Sequence, residues 1–161
     1  MKSILALLLL VASTLCFAEQ KITMFIGLTP AGSFQAVSKK MKGNLFKQGS
    51  SFSADKLSVS IESFKTGIDL RDEHTWKHLN ATKHPKATLS NLKAAGGKAT
   101  ANLEVNGVTK PVNIVYVEKG SEVEAKFKVK ASQFNLAKAS YLGVGVNDDI
   151  TVEATVPFKV K

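Results

Sequence analysis

Leu57-Ser58-Val59-Ser60-Ile61-Glu62 alternates apolar and polar side chains with the period of two that sets one face of a strand against a core. The alternation stops at Thr66-Gly67-Ile68-Asp69. There follows Leu70-Arg71-Asp72-Glu73-His74-Thr75-Trp76-Lys77-His78-Leu79, in which Ile68, Asp72, Thr75, Trp76 and Leu79 share one side at helical spacing. Asp69 is placed to cap that helix, and Asp72 and Glu73 fall in its first turn, where the helix dipole favours negative charge. Asn80 and Pro85 close it, and Lys86-Ala87-Thr88-Leu89-Ser90-Asn91-Leu92 returns to strand alternation. One short helix between strands, offering Trp76 and Leu79, predicts a lid on the end of a body built from sheet.

Outward from this stretch the chain is mostly strand. Before it, residues 21–26 read as a strand ended by Thr29-Pro30-Ala31-Gly32, residues 33–37 resume as strand, residues 39–46 carry a weaker signal, and Gly49-Ser50-Ser51 marks a turn. After it, Gly96-Gly97 and Asn106-Gly107 are dipeptides that accept the positive φ of tight hairpins. They predict that residues 98–105 pair back with 86–94, and residues 108–117 with 98–105. Pro111 donates no ladder hydrogen bond, so a strand start or a bulge is expected there. Lys119-Gly120-Ser121 makes a third turn. Residues 122–130 then give the cleanest alternation, with Val123, Ala125, Phe127 and Val129 inward and Glu124, Lys126, Lys128 and Lys130 outward. Residues 131–146 read as a long connection with one helical turn, and residues 149–160 as a closing strand with Ile150, Val152, Ala154, Val156, Phe158 and Val160 on one face.

At 161 residues the chain suits one domain. Lys2, the run Ile4-Leu5-Ala6-Leu7-Leu8-Leu9-Leu10-Val11 and the ending Cys16-Phe17-Ala18 read as a secretory signal peptide, residues 1–18, cleaved after Ala18 to leave a single domain of residues 19–161. The competing reading, a lipoprotein signal acylated at Cys16, is disfavoured by Leu15, where such signals need a small residue. Cleavage removes the one cysteine, so no disulfide is expected and the core alone must hold the fold. The expected location is periplasmic or secreted. Lys and Arg number 22 against 13 Asp and Glu, a net charge of +9 that becomes +8 once Lys2 is lost. The lysines are dispersed as on solvated strand faces, only Lys39, Lys40 and Lys42 cluster, and no recognised nucleic-acid module accompanies them, so nucleic acid is not an expected partner.

About eight antiparallel strands joined by tight hairpins, with one short helix and a second helical turn, point to an all-β barrel rather than a sandwich. Each strand has only one apolar face. A closed barrel of roughly 8 strands has an interior that side chains can fill or that can hold one elongated apolar ligand.

Against that background several residues carry a family resemblance. Thr66-Gly67, Arg71-Asp72-Glu73-His74 and Lys83-His84-Pro85-Lys86-Ala87-Thr88-Leu89 resemble the stretch of the YceI-like family in which a Thr-Gly and an Arg-Asp-x-His precede a helix and a Pro-initiated strand. Val105-Asn106-Gly107-Val108-Thr109-Lys110-Pro111-Val112 is similar to that family's hairpin. Ser132-Gln133-Phe134-Asn135-Leu136 and Val146-Asn147-Asp148-Asp149-Ile150 are similar to its closing segment. The resemblance implies an exported, lipocalin-like barrel whose interior holds a long isoprenoid or another lipid chain. It turns Phe34, Leu45, Phe46, Ile61, Arg71, Trp76, Leu79, Leu89, Phe127, Phe134 and Tyr141 into candidates for lining a pocket. The chain departs from the family where Gly32-Ser33-Phe34 replaces a His-Ser pair, where Met41-Lys42-Gly43-Asn44-Leu45 replaces Val-x-Gly-x-Phe, and where Leu79-Asn80-Ala81-Thr82 replaces paired aromatics.

For catalysis there is little: no Gly-x-Ser-x-Gly, no phosphate-cradling loop, and all three histidines lie between His74 and His84. His74 and His78, at i and i+4, could reach one metal with His84 or Glu73 adding a ligand, but no Glu stands at position 75 to make a zinc-protease motif. On the apolar stripe assigned above, these histidines face solvent. Arg71 and Asp72 read either as an ion pair fixing the start of the helix or as a guanidinium facing a ligand's polar head. The expectation is a lipid-binding protein that transports, stores or sequesters an isoprenoid, isoprenoid quinone or fatty-acid-like chain, with no catalysis and no cofactor besides that ligand. Transient contact with an anionic membrane surface is expected, and a homodimer is left open. A metal-binding protein or metal-dependent enzyme, and a basic surface-interaction protein with a packed barrel docking through Lys39, Lys40 and Lys42, are the competing classes.

Overall fold

A computed structural model describes residues 19–161, the side chain of Tyr141 excepted; the expected signal peptide with Cys16 lies outside the described residues. The chain runs through β1 (Lys21–Thr29), β2 (Ser33–Ser38), β3 (Met41–Lys42), β4 (Leu45–Gln48) and β5 (Ser51–Ser60) to a 3₁₀ turn at Ile61–Ser63 and the helix α1 (Asp69–His78). It continues through β6 (Lys86–Ala95), β7 (Lys98–Val105), β8 (Val108–Lys119) and β9 (Glu122–Lys130), a second 3₁₀ turn at Ala131–Phe134, β10 (Ser140–Tyr141) and β11 (Val144–Val160). Glycines and asparagines at positive φ make the hairpins: Gly96 and Gly97 at 60° and 81°, Asn106 and Gly107 at 52° and 72°. The paired strands are those the turns predict, β6 with β7 and β7 with β8.

The sheet closes through the series β11-β4-β5-β6-β7-β8-β9 and back to β11, a ring of seven strands. Every pairing in the ring is antiparallel except the short parallel contact of β11 with β4. β1, β2, β3 and β10 are additional. Their placement shapes the interior, because β1 and β4 succeed one another along β11. β1 pairs with it over Gly145–Thr155 and β4 only over Phe158–Val160. β2 then extends the wall beyond β1, and β3 joins it to β5 through Met41 and Val59. At one end the wall passes from β11 to β5 through β4 alone; at the other it passes through β1 and β2, and the barrel is wider there.

Three local expectations are corrected. Asp69 does not cap α1: the N-cap residue is Ile68, without a side-chain hydrogen bond, and Asp69 is the first helical residue. The acid that organises the helix start is Asp72, one turn further in. β5 ends at Ser60, so Ile61 belongs to the 3₁₀ turn rather than to the strand, though it remains buried. Pro111 sits neither at a strand start nor at a bulge but opposite Asn102 within β8. Proline is tolerated there because β8 pairs with β9 only over Val115–Lys119, leaving Pro111 on a stretch with one unpaired edge.

Candidate ligand pocket

Alternation along β1 turns Ile22, Met24, Ile26 and Leu28 to the inside of the wide end. The same period on β5 brings in Leu57 and Val59, on β7 Leu103 and Val105, on β9 Phe127 and Val129, and on β11 Val146, Ile150 and Val152. Together with Met41, Phe64 and Phe134 they enclose a cavity of about 1150 Å³ that opens beneath α1. Pockets for small ligands commonly run from about 300 to 1,000 Å³, so this space suits a larger molecule. Its described walls carry no Asp or Glu.

The helix is held over the mouth from its back. Burial raises the pKa of the Asp72 carboxyl, but the Thr66 hydroxyl and N–H, each donating to it at 2.7 Å, and the Lys65 ammonium at 3.3 Å hold it below the ordinary value. Trp76 Nε1 donates to the Phe64 carbonyl at 3.0 Å, and Lys65 Nζ stands 4.4 Å from the Trp76 ring. Beyond the helix, Asn80 Nδ2 donates to Asn106 Oδ1 at 3.0 Å, and Asn106 Nδ2 donates to the Phe134 carbonyl at 3.0 Å. Gly107 has φ of 72° and a Cβ there would come within 2.6 Å of the His84 ring, so the hairpin tip favours glycine. On the other side, Ser132 N–H and hydroxyl each donate at 2.7 Å to Asp148, whose pKa these bonds lower.

Of the residues singled out from sequence, Phe34, Ile61, Arg71, Leu79, Leu89, Phe127 and Phe134 line the cavity. Leu45, Phe46 and Trp76 do not. Leu45 is buried in the core at the narrow end, Phe46 lies under Lys161, whose Nζ is 4.2 Å from its ring, and Trp76 is engaged with Phe64 and Lys65. The side chain of Tyr141 lies outside what is described. The Arg71–Asp72 ion pair is corrected: Asp72 turns to Thr66 and Lys65, while Arg71 lies 4.8 Å over the Phe34 ring and its Nε donates to Thr66 Oγ1 at 3.3 Å.

The face of α1 is corrected too. His74 and His78 do not point away from the pocket; Arg71, His74, Thr75 and His78, a stripe at i, i+3, i+4 and i+7, look into it. Burial lowers the pKa of His78. Of the stripe that contains Trp76, only Trp76 and Asp72 turn away to anchor the helix, while Ile68, Thr75 and Leu79 line the cavity with the histidines. Among the described residues no three His, Cys, Asp or Glu side chains gather closely enough to hold a metal ion. Leu142 and Val144 fall in a stretch that the sequence marks only as a connection, and the alternation of β1 is the signal that points to Ile22, Met24, Ile26 and Leu28.

A closed sheet packed at one end and hollow at the other, with an apolar chamber under a short helix, defines a lipocalin-like barrel. The chain belongs to the YceI-like family: the family profile described as the YceI-like domain matches residues 11–158. Among curated relatives, a UPF0312 protein of Pectobacterium carotovorum is 44% identical over 70 residues, covering 38% of this chain and 36% of that protein. Protein YceI of Salmonella arizonae is 35% identical over 102 residues, covering 52% and 53%. The chain thus spans between about a third and a half of the length of these relatives. Among solved structures, Burkholderia cenocepacia BcnA superposes with a TM-score of 0.65 at 19% identity, covering 84% of this chain and 94% of that one. A polyisoprenoid binding domain from Saccharophagus degradans, implicated in plant cell wall breakdown, superposes with a TM-score of 0.60 at 14% identity, covering 86% and 92%. At those identities the likeness is one of fold.

Proposed function

We propose that this protein binds a long apolar chain, an isoprenoid or another lipid, in the wide end of its barrel and carries or sequesters it without transforming it. The observation that carries this reading is the cavity of about 1150 Å³ walled by aliphatic and aromatic side chains and free of carboxylates among its described residues. An empty apolar chamber of that size is costly to leave unfilled, whereas each CH₂ moved into it from water contributes about 0.8 kcal/mol. Length is therefore favoured over head-group detail. The likeness in fold to a polyisoprenoid binding domain of Saccharophagus degradans supports the class of ligand. Export, with removal of residues 1–18 and residence in the periplasm or outside the cell, belongs to the same proposal.

Native mass spectrometry of the protein purified from its own host tests both parts. The expected result is a chain beginning at Glu19 that carries a lipid mass released on denaturation. A bare or zinc-loaded chain would overturn the binding reading, and a lipid-modified Cys16 in the membrane fraction would overturn the processing.

A further inference from the structure

The mouth of the cavity is dressed differently from the rest of the surface. Among the described residues seven large apolar side chains are exposed, and four of them, Ile68 at 53%, Leu70 at 58%, Leu142 at 86% and Val144 at 39%, stand on the cavity's rim. Ile68 and Leu70 come from the N-cap and first turn of α1, Leu142 comes from the turn after β10 and Val144 is the first residue of β11, so two separate segments bring greasy tips to one opening. Isolated exposed apolar residues need no explanation, but a cluster around an opening marks an interaction surface.

Charge is sorted at the same place. Every basic or imidazole side chain of α1, Arg71, His74, Lys77 and His78, lines the mouth, and none of its acids, Asp69, Asp72 and Glu73, does. Lys138, from the segment before β10, adds a further cation to the lining. Among the described residues no carboxylate pairs with Arg71, Lys77 or Lys138, so these cations stand at the mouth without a neutralising partner. Unneutralised cations ringing exposed leucines complement one partner in particular: a bilayer with anionic headgroups, into whose boundary the leucines dip while the cations meet phosphates.

We propose that the rim formed by Ile68, Leu70, Leu142 and Val144, with Lys77 and Lys138, docks the mouth of the barrel onto an anionic lipid bilayer. Docked in this way the cavity opens directly toward the acyl layer. This surface lies apart from the Lys39, Lys40 and Lys42 cluster, none of which lines the mouth.

Co-sedimentation with vesicles tests it, every protein having the same N-terminus. With vesicles of equal phosphatidylglycerol and phosphatidylcholine the protein is expected to sediment at low ionic strength, and to be released at about 0.5 M salt, where charges are screened within about 4 Å. Leu70→Glu with Leu142→Glu should weaken partitioning on the order of tenfold or more, and Lys77→Glu with Lys138→Glu should do the same. The control is Val115→Glu with Val117→Glu, which places the same charges on two exposed valines of β8 away from the mouth and should bind as the wild type does. All these positions are exposed or at the rim, and unchanged circular dichroism shows that the fold persists. No sedimentation with anionic vesicles, equal sedimentation with pure phosphatidylcholine, or an equal loss in the control pair would each overturn the proposal. The readout does not depend on what the cavity holds, so a protein that carries lipid yet ignores vesicles defeats this inference alone.

Discussion

The two ends of the barrel are built from the same strands and have opposite interiors. At the narrow end Phe52 stands edge-on to Phe158 at 5.1 Å and to Tyr116 at 5.5 Å, and Lys47 lies over Phe52 and Phe158 at 5.7 and 5.5 Å while pairing with Glu118 at 2.5 Å. Ala54, Ala94, Ala99 and Ala101 are buried around this cluster, small residues that let large ones interdigitate. A few residues along the same strands the neighbours become Leu57 and Val59 on β5, Leu103 and Val105 on β7, and Phe127 and Val129 on β9, and these line open space. Inward side chains are apolar at both ends, so hydrophobicity does not separate core from cavity. Wall perimeter does: β4 alone bridges β11 to β5 where the barrel is filled, and β1 with β2 bridges them where it is hollow.

The sharpest way to break the comparison is to remove mass from the filled end. Phe52→Ala deletes the centre of the aromatic cluster at a residue only 4% exposed, and the cost expected is about 3–5 kcal/mol, read from urea unfolding. If the narrow end were not the structural core, this substitution would be tolerated as well as one in the cavity wall.

Next in size is the anchor of the lid. Asp72→Ala leaves the Thr66 N–H without its acceptor, at an expected cost of about 1–3 kcal/mol, and frees α1 from its back. Because the folded Asp72 holds its pKa below the ordinary value, its contribution is fully present above about 3.9, the unfolded value, and is lost as pH falls through the lower folded one. An acid-unfolding profile of the wild type should therefore be steeper in that window than that of Asp72→Ala. Identical profiles would show that Asp72 does not hold the lid.

At the hollow end, Phe127→Leu should change which lipid co-purifies more than it lowers the melting temperature. In a packed core the void would cost on the order of 1–3 kcal/mol. Phe127 borders open space already, so little packing is lost. A large stability loss with the same bound lipid would assign Phe127 to the core.

Much of this contrast could be read from the chain, for identifiable reasons. Turn chemistry is local, so Gly96-Gly97, Asn106-Gly107 and Gly120 placed the hairpins, and the period of two on β9 assigned Val123 through Val129 to the inside and the lysines to the outside. The motifs of the closing segment, Ser132 and Asp148, meet as hydrogen-bond partners. The orientation of α1 was not legible. A helix of ten residues with one tryptophan suggests an apolar stripe, but Trp76 also has an N–H that bonds the Phe64 carbonyl, so Trp76 and Asp72 turn to the wall while Thr75 and Leu79 of the same stripe face the cavity together with the histidines. Nor could periodicity tell Leu45, which packs, from Leu57, which lines: both are inward leucines, and only the wall closing around them differs.

The smallest effect is expected from those histidines. His74 and His78 face the mouth, where apolar contact with a chain comes from the walls below them and a polar side chain at the rim has water or a head group to meet. His74→Ala with His78→Ala should change stability near neutral pH by no more than about 0.5 kcal/mol and should leave the bound lipid in place. Acid conditions make His78 visible. Burial lowers the folded pKa of His78, so below about 6.5 the unfolded chain takes up a proton that the folded one resists, and stability declines as pH falls from there through the folded value. The double variant should lose the part of the slope near pH 6 and keep the steeper acid limb that belongs to Asp72. Urea titrations at pH 7.5, 6 and 5, estimated to bracket the histidine range, check this. Loss of bound lipid in the double variant, or stoichiometric zinc in the wild type, would instead make the imidazoles part of the binding machinery and move the functional boundary from the walls of the chamber to its rim.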